Sequence, residues 1–343
     1  MKKSSFVLRR TVLALIAGTL GTAFSATDPK TTIASKALAG SKVQPWPTSP
    51  IKLIVGFPPG SVQDISARIL AEPLSKSLGQ PVIVENKAGA SGSIAAAFVA
   101  KATDSHTFGV MNNSQLTIAK LLNPNIAYDP AKDLSPIALV ATAPMVLVVT
   151  NTATGTTPVQ WLDWLRDQGQ KANYGTPGLG TPGHLGMEMI KSKSGTSMTH
   201  IPYAGNPQVI TAMLSGQIQA ALLPTGLALQ QIKAGKMFAI GVTSEQRNVL
   251  APELPTLREA SVMGADIELF SAVAGPASTA SYIQEKFGLA VVAAVKAAET
   301  RQRLITAGWQ PAPSVAEGLR SKIRTENGRM TGIIMMRNIR AES

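Results

Sequence analysis

The chain has 343 residues, enough for two domains, and with 45% hydrophobic and 15% charged residues it is expected to fold around a large core rather than stay disordered. Its net charge of +12 suits an anionic ligand or an acidic partner, but lysine and arginine are scattered without a basic block, so nucleic acid is not expected as a partner. The absence of cysteine excludes disulfides, zinc–thiolate sites and a cysteine nucleophile.

The N-terminus has the pattern of a secretory signal peptide. Residues 1–10 are basic, and residues 11–26 are uncharged and mostly apolar. This apolar stretch is shorter than the about 20 residues that a transmembrane helix needs. We therefore predict a signal peptide over residues 1–26 and a flexible leader over residues 27–47, and we expect a periplasmic mature protein.

The first folded unit is predicted to be a strand, a tight loop and a helix. Residues 51–57 form an apolar, β-branched run that residues 58–60 end with turn chemistry. Asp64 is predicted to cap the helix, and Pro73 to kink it or end it early. In a parallel sheet such a loop lies where ligands bind, and free N–H groups at the helix start favour an anion. An ordinary βα turn without a ligand is the alternative, because such loops recur in every α/β fold.

Further strands and helices predict a parallel sheet. Residues 80–87 and 107–111 are the next buried strands, with a helix over residues 94–102 between them. This β-α-β-α-β order implies right-handed crossovers and places the loops after the first and third strands at one edge. Helices over residues 281–300 and 315–327 are expected to finish the chain.

Two apolar runs predict a division into two lobes. Residues 136–150 are interpreted as a strand that leaves the first lobe, and residues 267–274 as the strand that returns to it. The first lobe then comprises residues 48–143 and 272–343, and the second comprises residues 144–271. Two α/β lobes joined by two crossing segments form a hinged cleft.

A glycine-rich loop in the second lobe, residues 178–183, matches the dinucleotide fingerprint GxGxxG. The next strand, residues 200–203, lacks the acidic residue that would confirm it, so a second anion cradle is favoured over a dinucleotide site. Thr181 is predicted to cap the following helix, with Pro182 at the first helical position. Two helix N-termini that point at one cleft suit a carboxylate-bearing ligand, and a simple helix cap is the alternative.

Catalytic and metal-binding signatures are missing from the sequence. The three histidines, His106, His184 and His200, have no metal spacing on one helix, and there is no GxSxG elbow. His184 is interpreted as a capping or packing residue and His200 as a structural one. We expect no catalytic residue, metal or cofactor; an α/β hydrolase or transferase that uses the same cleft is the alternative function.

Eight segments between Trp46 and Ala260 resemble one known family. They read WPTSPIKLIVGFPPG, LGQPVIVENKAGASGSIAA, NPNIAYDPAKDLSPIALVA, NYGTPGLGTPGHL, HIPYAG, LSGQIQAALLP, AGKMFAIGVTSEQR and LPTLREA. In this order they resemble the extracytoplasmic solute receptors of the tripartite tricarboxylate transporters, the Bug or TctC group.

The resemblance implies an α/β, two-lobe periplasmic-binding-protein (Venus-flytrap) fold with a ligand cleft between lobes joined by two crossing segments. It implies a receptor that captures a small organic carboxylate without catalysis. The closed form is expected to dock on a membrane permease, or on a sensor protein in signalling members of the family. A binding protein for a non-carboxylate ligand that serves a signalling system is the alternative within this fold, and a monomer is expected.

The family's ligand-binding positions carry over to this chain by motif. Backbone amides of both lobes are expected to hold the anion. The residues at these positions are Phe57, Pro58, Pro59, Gly60, Ser61, Val62 and Asp64 in the first loop; Thr176, Gly178, Gly180, Thr181, Pro182 and His184 in the second loop; and Tyr203, Ala204, Leu223 and Pro224 in two further segments.

Two departures from the family pattern bear on the ligand. Ser61 stands where the family usually has a second glycine, which adds a hydroxyl donor and limits backbone freedom. Leu223 and Pro224 stand where an acidic residue is common, and an acid there can select an amine-bearing ligand. We therefore expect a ligand other than an amino acid.

Overall fold

The computed structural model describes residues 45–340, so the predicted signal peptide and nearly all of the predicted leader lie outside the described residues. Within this range no helix combines the length and hydropathy needed to cross a bilayer. Ten strands in the described range form one connected sheet. They are β1 (Ile51–Val55), β2 (Val82–Asn86), β3 (Thr107–Met111), β4 (Leu134–Thr150), β5 (Asn173–Thr176), β6 (Thr199–Pro202), β7 (Ala220–Pro224), β8 (Met237–Val242), β9 (Glu268–Pro276) and β10 (Gln310–Val315).

Helices cover the faces of this sheet. They are α1 (Val62–Leu78), α2 (Ser93–Ala100), α3 (Ala119–Leu122), α4 (Pro158–Gln168), α5 (Pro182–Ser194), α6 (Asn206–Leu214), α7 (Thr225–Lys233), α8 (Ser281–Lys296), α9 (Ala298–Thr306) and α10 (Ala316–Arg337). A π-helical turn, Ser114–Ile118, leads into α3, and a short 3₁₀ turn, Ala90–Gly92, leads into α2.

The sheet has two parallel portions. β1 pairs in parallel with β2 and β3, so the loops after β1 and β3 leave the same edge, as the element order predicts. β5 pairs in parallel with β6 and β7. We call the part built on β1, β2, β3, α1 and α2 the β1 side, and the part built on β5, β6, β7, α5 and α6 the β5 side.

Strand β4 is shared by both portions. Its first part pairs antiparallel with β9 and β10, and its second part pairs antiparallel with β7 and β8. Pro144 lies where β4 exchanges its partner β9 for β7, which is where a residue without an N–H disturbs a ladder least. β9 also pairs with β3, so β4 and β9 are the two segments that connect the portions of the sheet.

The start of the chain differs from its prediction. Trp46, assigned to the flexible leader, is buried against Phe108 and Phe287 in the core of the β1 side. Its indole N–H donates to the Ser105 carbonyl at 2.9 Å. The folded part therefore includes the end of the predicted leader.

Helix α1 also differs from its prediction. Ser61, not Asp64, is the N-cap, and the helix continues through Pro73 to end at Gly79, which has the left-handed conformation. Leu70 and Leu74 on either side of the proline are fully buried. Burial of this apolar face outweighs the one hydrogen bond that the proline removes.

Helix α10 spans both portions of the molecule. It continues to Arg337, ten residues beyond the predicted end, because Met330 and Ile333 are buried in the core that surrounds β5 and α5. Leu319, near its start, packs instead in a cluster with residues of α2 and β9. Arg337 forms an ion pair with Glu188 of α5 at 3.5 Å.

Candidate functional site

The loop between β1 and α1 is held by a buried carboxylate. The Asp64 carboxylate accepts a hydrogen bond from the Gly60 N–H at 2.9 Å, while the Ser61 hydroxyl accepts one from the Asp64 N–H at 3.4 Å. Arg68 and Asn86 also donate to Asp64. Burial raises the pKa of Asp64, but these hydrogen bonds outweigh it and hold the pKa below the ordinary value of 3.8. Asp64 thus shapes the loop as an anion.

The loop between β5 and α5 is held in a similar way. The Thr181 hydroxyl accepts from the His184 N–H at 3.4 Å and donates to the Gly178 carbonyl at 2.8 Å. Thr181 is the N-cap and Pro182 is the first residue of the helix, so both predictions for this helix start are confirmed. Nδ1 of His184 accepts from the Gly180 N–H at 3.2 Å, which fixes the turn before the cap.

Two stacked histidines lie under this second loop. The rings of His184 and His200 have centroids 4.3 Å apart, and Nε2 of His200 lies 2.7 Å from the Thr176 hydroxyl oxygen. Burial lowers the pKa of His184 to about 4, against the opposing effect of Glu188. Burial and the neighbouring His184 lower the pKa of His200 to about 3. Both rings are therefore neutral at neutral pH, as the acceptor role of His184 requires.

The two loops open onto one small cavity. Its volume is 20 Å³, room for about one water molecule. The N-terminal turns of α1, α5 and α6 all reach it, and within residues 45–340 no charged side chain lines it. The lining residues are Phe57, Val62, Gln63, Asn112, Met145, Pro177, Thr181, Pro182, Gly183, Asn206, Pro224 and Leu269.

Two side-chain amides in this cavity have no hydrogen-bond partner. Nε2 of Gln63, at the second position of α1, and Nδ2 of Asn206, at the first position of α6, are both unpartnered. The two residues are 2% and 4% exposed. Buried donors without partners are rare in folded proteins, and here one comes from each side of the cavity. Together with the helix N-termini, these donors are chemically suited to an acceptor that carries negative charge.

Close contacts between the two sides flank the cavity. The Ser91 hydroxyl, on the β1 side, donates to the Leu179 carbonyl on the β5 side at 2.6 Å. Gly178 lies against Ser91, where an added Cβ would come within 2.5 Å of the hydroxyl oxygen. Gly205 lies against Pro58, where an added Cβ would come within 2.8 Å of Cδ. Glycine at these positions permits the two sides to approach.

The structure brings some of the predicted site residues together around the cavity. Five of them line it: Phe57, Val62, Thr181, Pro182 and Pro224. Others form the loops that end there, namely Pro58, Pro59, Gly60, Ser61, Asp64, Thr176, Gly178, Gly180 and His184.

Three predicted site residues have side chains elsewhere. Leu223 is buried in the apolar cluster of β7 and β8, and Tyr203 packs against the same cluster. Ala204 is exposed. None of the three lines the cavity.

Sequence reasoning missed the three amide side chains of the cavity, Gln63, Asn112 and Asn206. Each stands directly after a predicted strand or in the first turn of a helix. A search for polar residues at those positions would have found them, because both positions point toward the ligand edge of an α/β sheet.

Comparison with known proteins gives the family context of this site. The family model described as tripartite tricarboxylate transporter family receptor matches residues 66–339. One relative from Bordetella pertussis is 32% identical over 276 residues, which cover 80% of this chain and 85% of that protein. The protein BugT of the same organism is 30% identical over 298 residues, which cover 84% of this chain and 89% of BugT.

Three solved structures share the fold over nearly their whole length. The periplasmic binding protein BugD has a TM-score of 0.82 at 26% identity, covering 87% of this chain and 100% of its own. Rpa4515 of R. palustris with adipate has a TM-score of 0.83 at 27% identity, and the match covers 86% of this chain and 99% of Rpa4515. MatC of Rhodopseudomonas palustris with bound malate has a TM-score of 0.78 at 25% identity, and the match covers 84% of this chain and 100% of MatC. These neighbours confirm the two-lobe periplasmic-binding-protein fold.

Proposed function

This chain belongs to the receptor family of the tripartite tricarboxylate transporters, the Bug/TctC solute-binding proteins, and we propose that it captures a small organic carboxylate in the cavity between the β1 side and the β5 side. The family and its structural neighbours are solute-binding receptors rather than enzymes. The neighbours solved with adipate and malate support a carboxylate as the ligand.

One observation carries the proposal: among the described residues, two buried amide donors without a partner, one from each side, line a cavity that three helix N-termini reach. A carboxylate offers about four lone-pair sites, so it can satisfy Gln63 and Asn206 as well as backbone N–H groups. Hydrogen bonds to an ionised acceptor are stronger than those to a neutral one. The absence of an acidic side chain from the lining favours an anion over an amine-bearing ligand.

Binding is proposed to require opening of the cavity. At 20 Å³ it is too small for an organic acid in this arrangement, so the two sides separate to admit the ligand and then close on it. We propose that the sides are two lobes, residues 48–143 with 272–343 and residues 144–271, that hinge at β4 and β9. The closed form is proposed to dock, as a monomer, on a membrane permease or a sensor protein.

Export is proposed to precede this function. The family includes periplasmic binding proteins, and the basic then apolar pattern of residues 1–26 suits a signal peptide that directs the chain there.

A thermal-shift screen tests the carboxylate. Purified protein is unfolded and refolded to remove any copurified ligand, then heated with organic acids, their primary amides and neutral sugars. A ligand that binds only the folded protein raises the melting temperature by mass action. We expect at least one acid to raise it and the matching amide to leave it unchanged. A response to neutral compounds alone would make the anion site wrong.

A variant and its control test whether the acid binds in the cavity. Gln63→Leu removes one amide donor, and affinity for the acid is expected to fall about 10- to 100-fold, because hydrogen bonds to charged groups contribute about 1.5–3 kcal/mol. Gln170→Leu, at an exposed position, is the matched control and should bind as wild type. Equal binding by both variants would place the carboxylate elsewhere.

A further inference from the structure

A second and larger cavity, which we call the chamber, lies beside the first. Its volume is 220 Å³, room for about seven water-sized groups. Its lining combines apolar residues with polar ones, and among the residues that the structure describes no charged side chain lines it. The apolar residues include Ala119, Leu122 and Ile126, and the polar ones are Ser91, Ser93, Ser114 and Asn123.

The chamber and the first cavity are lined by neighbouring residues of the same two segments. Gly180 lines the chamber and its chain neighbour Thr181 lines the cavity. On the opposite wall, Asn112 lines the cavity and Ser114 lines the chamber, and the Ser114 N–H donates to Oδ1 of Asn112 at 2.8 Å. The two linings thus adjoin at one peptide bond and one hydrogen-bonded turn, which places the chamber next to the far end of an elongated ligand whose carboxylate would lie in the first cavity.

The chamber contains an unpartnered polar group. Ser114 is 1% exposed, and its hydroxyl oxygen has no hydrogen-bond partner. A buried hydroxyl without a partner is costly, so its presence in this wall points to a polar group of a ligand. A hydroxyl can both donate and accept, which suits a ligand hydroxyl or carbonyl equally.

The chamber is complete only when the two sides meet. Ser91 comes from the turn before α2, and Leu179 from the loop before α5, and both line it. Their hydrogen bond, 2.6 Å from the Ser91 hydroxyl to the Leu179 carbonyl, closes the wall. Ser91 has a left-handed conformation with φ of 52°, which a non-glycine residue rarely adopts. Separation of the sides therefore opens the chamber together with the cavity.

From these observations we propose that the chamber receives the uncharged tail of an elongated monocarboxylic acid, with a hydroxyl or carbonyl on the tail that pairs with Ser114. This inference rests on the proposed function, because the carboxylate of the same molecule occupies the first cavity. A second carboxylate on the tail is disfavoured, because none of the described residues that line the chamber carries a positive charge to pair with it.

Four straight-chain acids test the tail by isothermal titration calorimetry on refolded protein: propanoate, hexanoate, 6-hydroxyhexanoate and adipate. The last three have six carbons and differ only in the end of the tail. We expect 6-hydroxyhexanoate to bind tightest, hexanoate next, and propanoate and adipate at least tenfold more weakly than 6-hydroxyhexanoate.

Two variants test whether the tail of the acid lies in the chamber. Ser114→Ala is expected to lower the affinity for 6-hydroxyhexanoate about fivefold and leave hexanoate within twofold of wild type, because only the hydroxyl loses a partner. Ala119→Leu fills the chamber. It is expected to lower the affinity for hexanoate and 6-hydroxyhexanoate at least tenfold, while the affinity for propanoate stays within twofold of wild type. Ala293→Leu, at an exposed position of α8, is the matched control and should change none of these affinities.

The outcomes separate this inference from the proposed function. If propanoate binds but the longer acids bind no better, or if Ala119→Leu binds them as wild type does, the chamber is not part of the site. If adipate binds tightest, the inference that the chamber receives an uncharged tail is wrong. Binding by none of the four acids would overturn this inference but not the proposed function, which fails only if no organic acid in the thermal-shift screen stabilises the protein.

Discussion

Single residues decide how the second loop responds to pH. His184 and His200 have pKa values lowered from 6.5 to about 4 and about 3, so the unfolded chain binds more protons than the folded protein below pH 6.5. The stability from these neutral rings is therefore complete above pH 6.5 and is lost as the pH falls toward 4. Protonation of His184 also removes the acceptor for the Gly180 N–H.

We predict that His184→Asn flattens this dependence. Asparagine offers an oxygen acceptor at a similar place and does not titrate. Urea unfolding at pH 7 and pH 4.5 measures how far the free energy of unfolding falls in each protein. The fall should be about 1–2 kcal/mol smaller in the variant than in wild type. Carboxylates titrate in both proteins and cancel in the difference. An identical fall in both would mean that His184 takes up its proton over the same pH range in the folded and the unfolded chain.

At this scale the sequence predicts helix caps better than the polar lining of the cavity. Thr181 as N-cap and Pro182 as first helical residue follow from local chemistry, and the structure confirms both. Asp64 was assigned the role of Ser61, since either residue type can cap a helix and only the geometry distinguishes them. Gln63 and Asn206 went unrecognised because their missing partners become visible only when three helix starts meet in space.

Among the elements, α7 and the corner before β10 are in close backbone contact. An added Cβ on Gly226 of α7 would lie 2.0 Å from the Ala307 carbonyl oxygen. Gly308 has φ of 83°, and its own added Cβ would lie 2.2 Å from Cα of Gly226. Backbone therefore packs on backbone where the helix after β7 meets the end of α9.

The same substitution in two helices tests this packing. Gly226→Ala is expected to lower the free energy of unfolding by about 2–3 kcal/mol, because backbone must move to admit the methyl group. Gly328→Ala, in α10 with nothing within 4 Å of an added Cβ, should raise it by about 0.5–1 kcal/mol. Chemical denaturation measures both. A loss of similar size in the two variants would show that close packing is not the cause.

Elements with regular patterns are predictable here, and those with prolines are less so. β3 has the bounds that its apolar run predicts. β10 is not predicted, because Pro311 and Pro313 argue against a strand; it pairs only with β4, in an irregular register. Long-range packing of Leu70 and Leu74 likewise carries α1 past Pro73.

For the molecule as a whole, the contact of Gly205 with Pro58 limits how far the two sides can close. Gly205 has an extended backbone with φ of −178°, so alanine there causes no backbone strain. The added methyl group would meet Pro58 at 2.8 Å only when the sides are together.

We predict that Gly205→Ala weakens ligand binding about tenfold or more while it changes the melting temperature of the unliganded protein by less than about 2 °C, since only the closed arrangement is penalised. Titration calorimetry and small-angle scattering with saturating ligand measure affinity and closure. Gly332→Ala, with open space around it, is the control. Wild-type affinity in Gly205→Ala would show that closure tolerates the methyl group.

The course of α10 has a practical consequence. Its last turns pack on the β5 side and its first turns pack on the β1 side. A change in the angle between the sides must therefore alter the contacts of the helix at one end or the other. Met335 and Met336 are 75% and 77% exposed near its end. Because the chain has no cysteine, Met336→Cys creates a single thiol that takes one fluorophore without background labelling. A dye there would turn this receptor into an optical sensor for its own ligand, with the reporter outside the binding cavity.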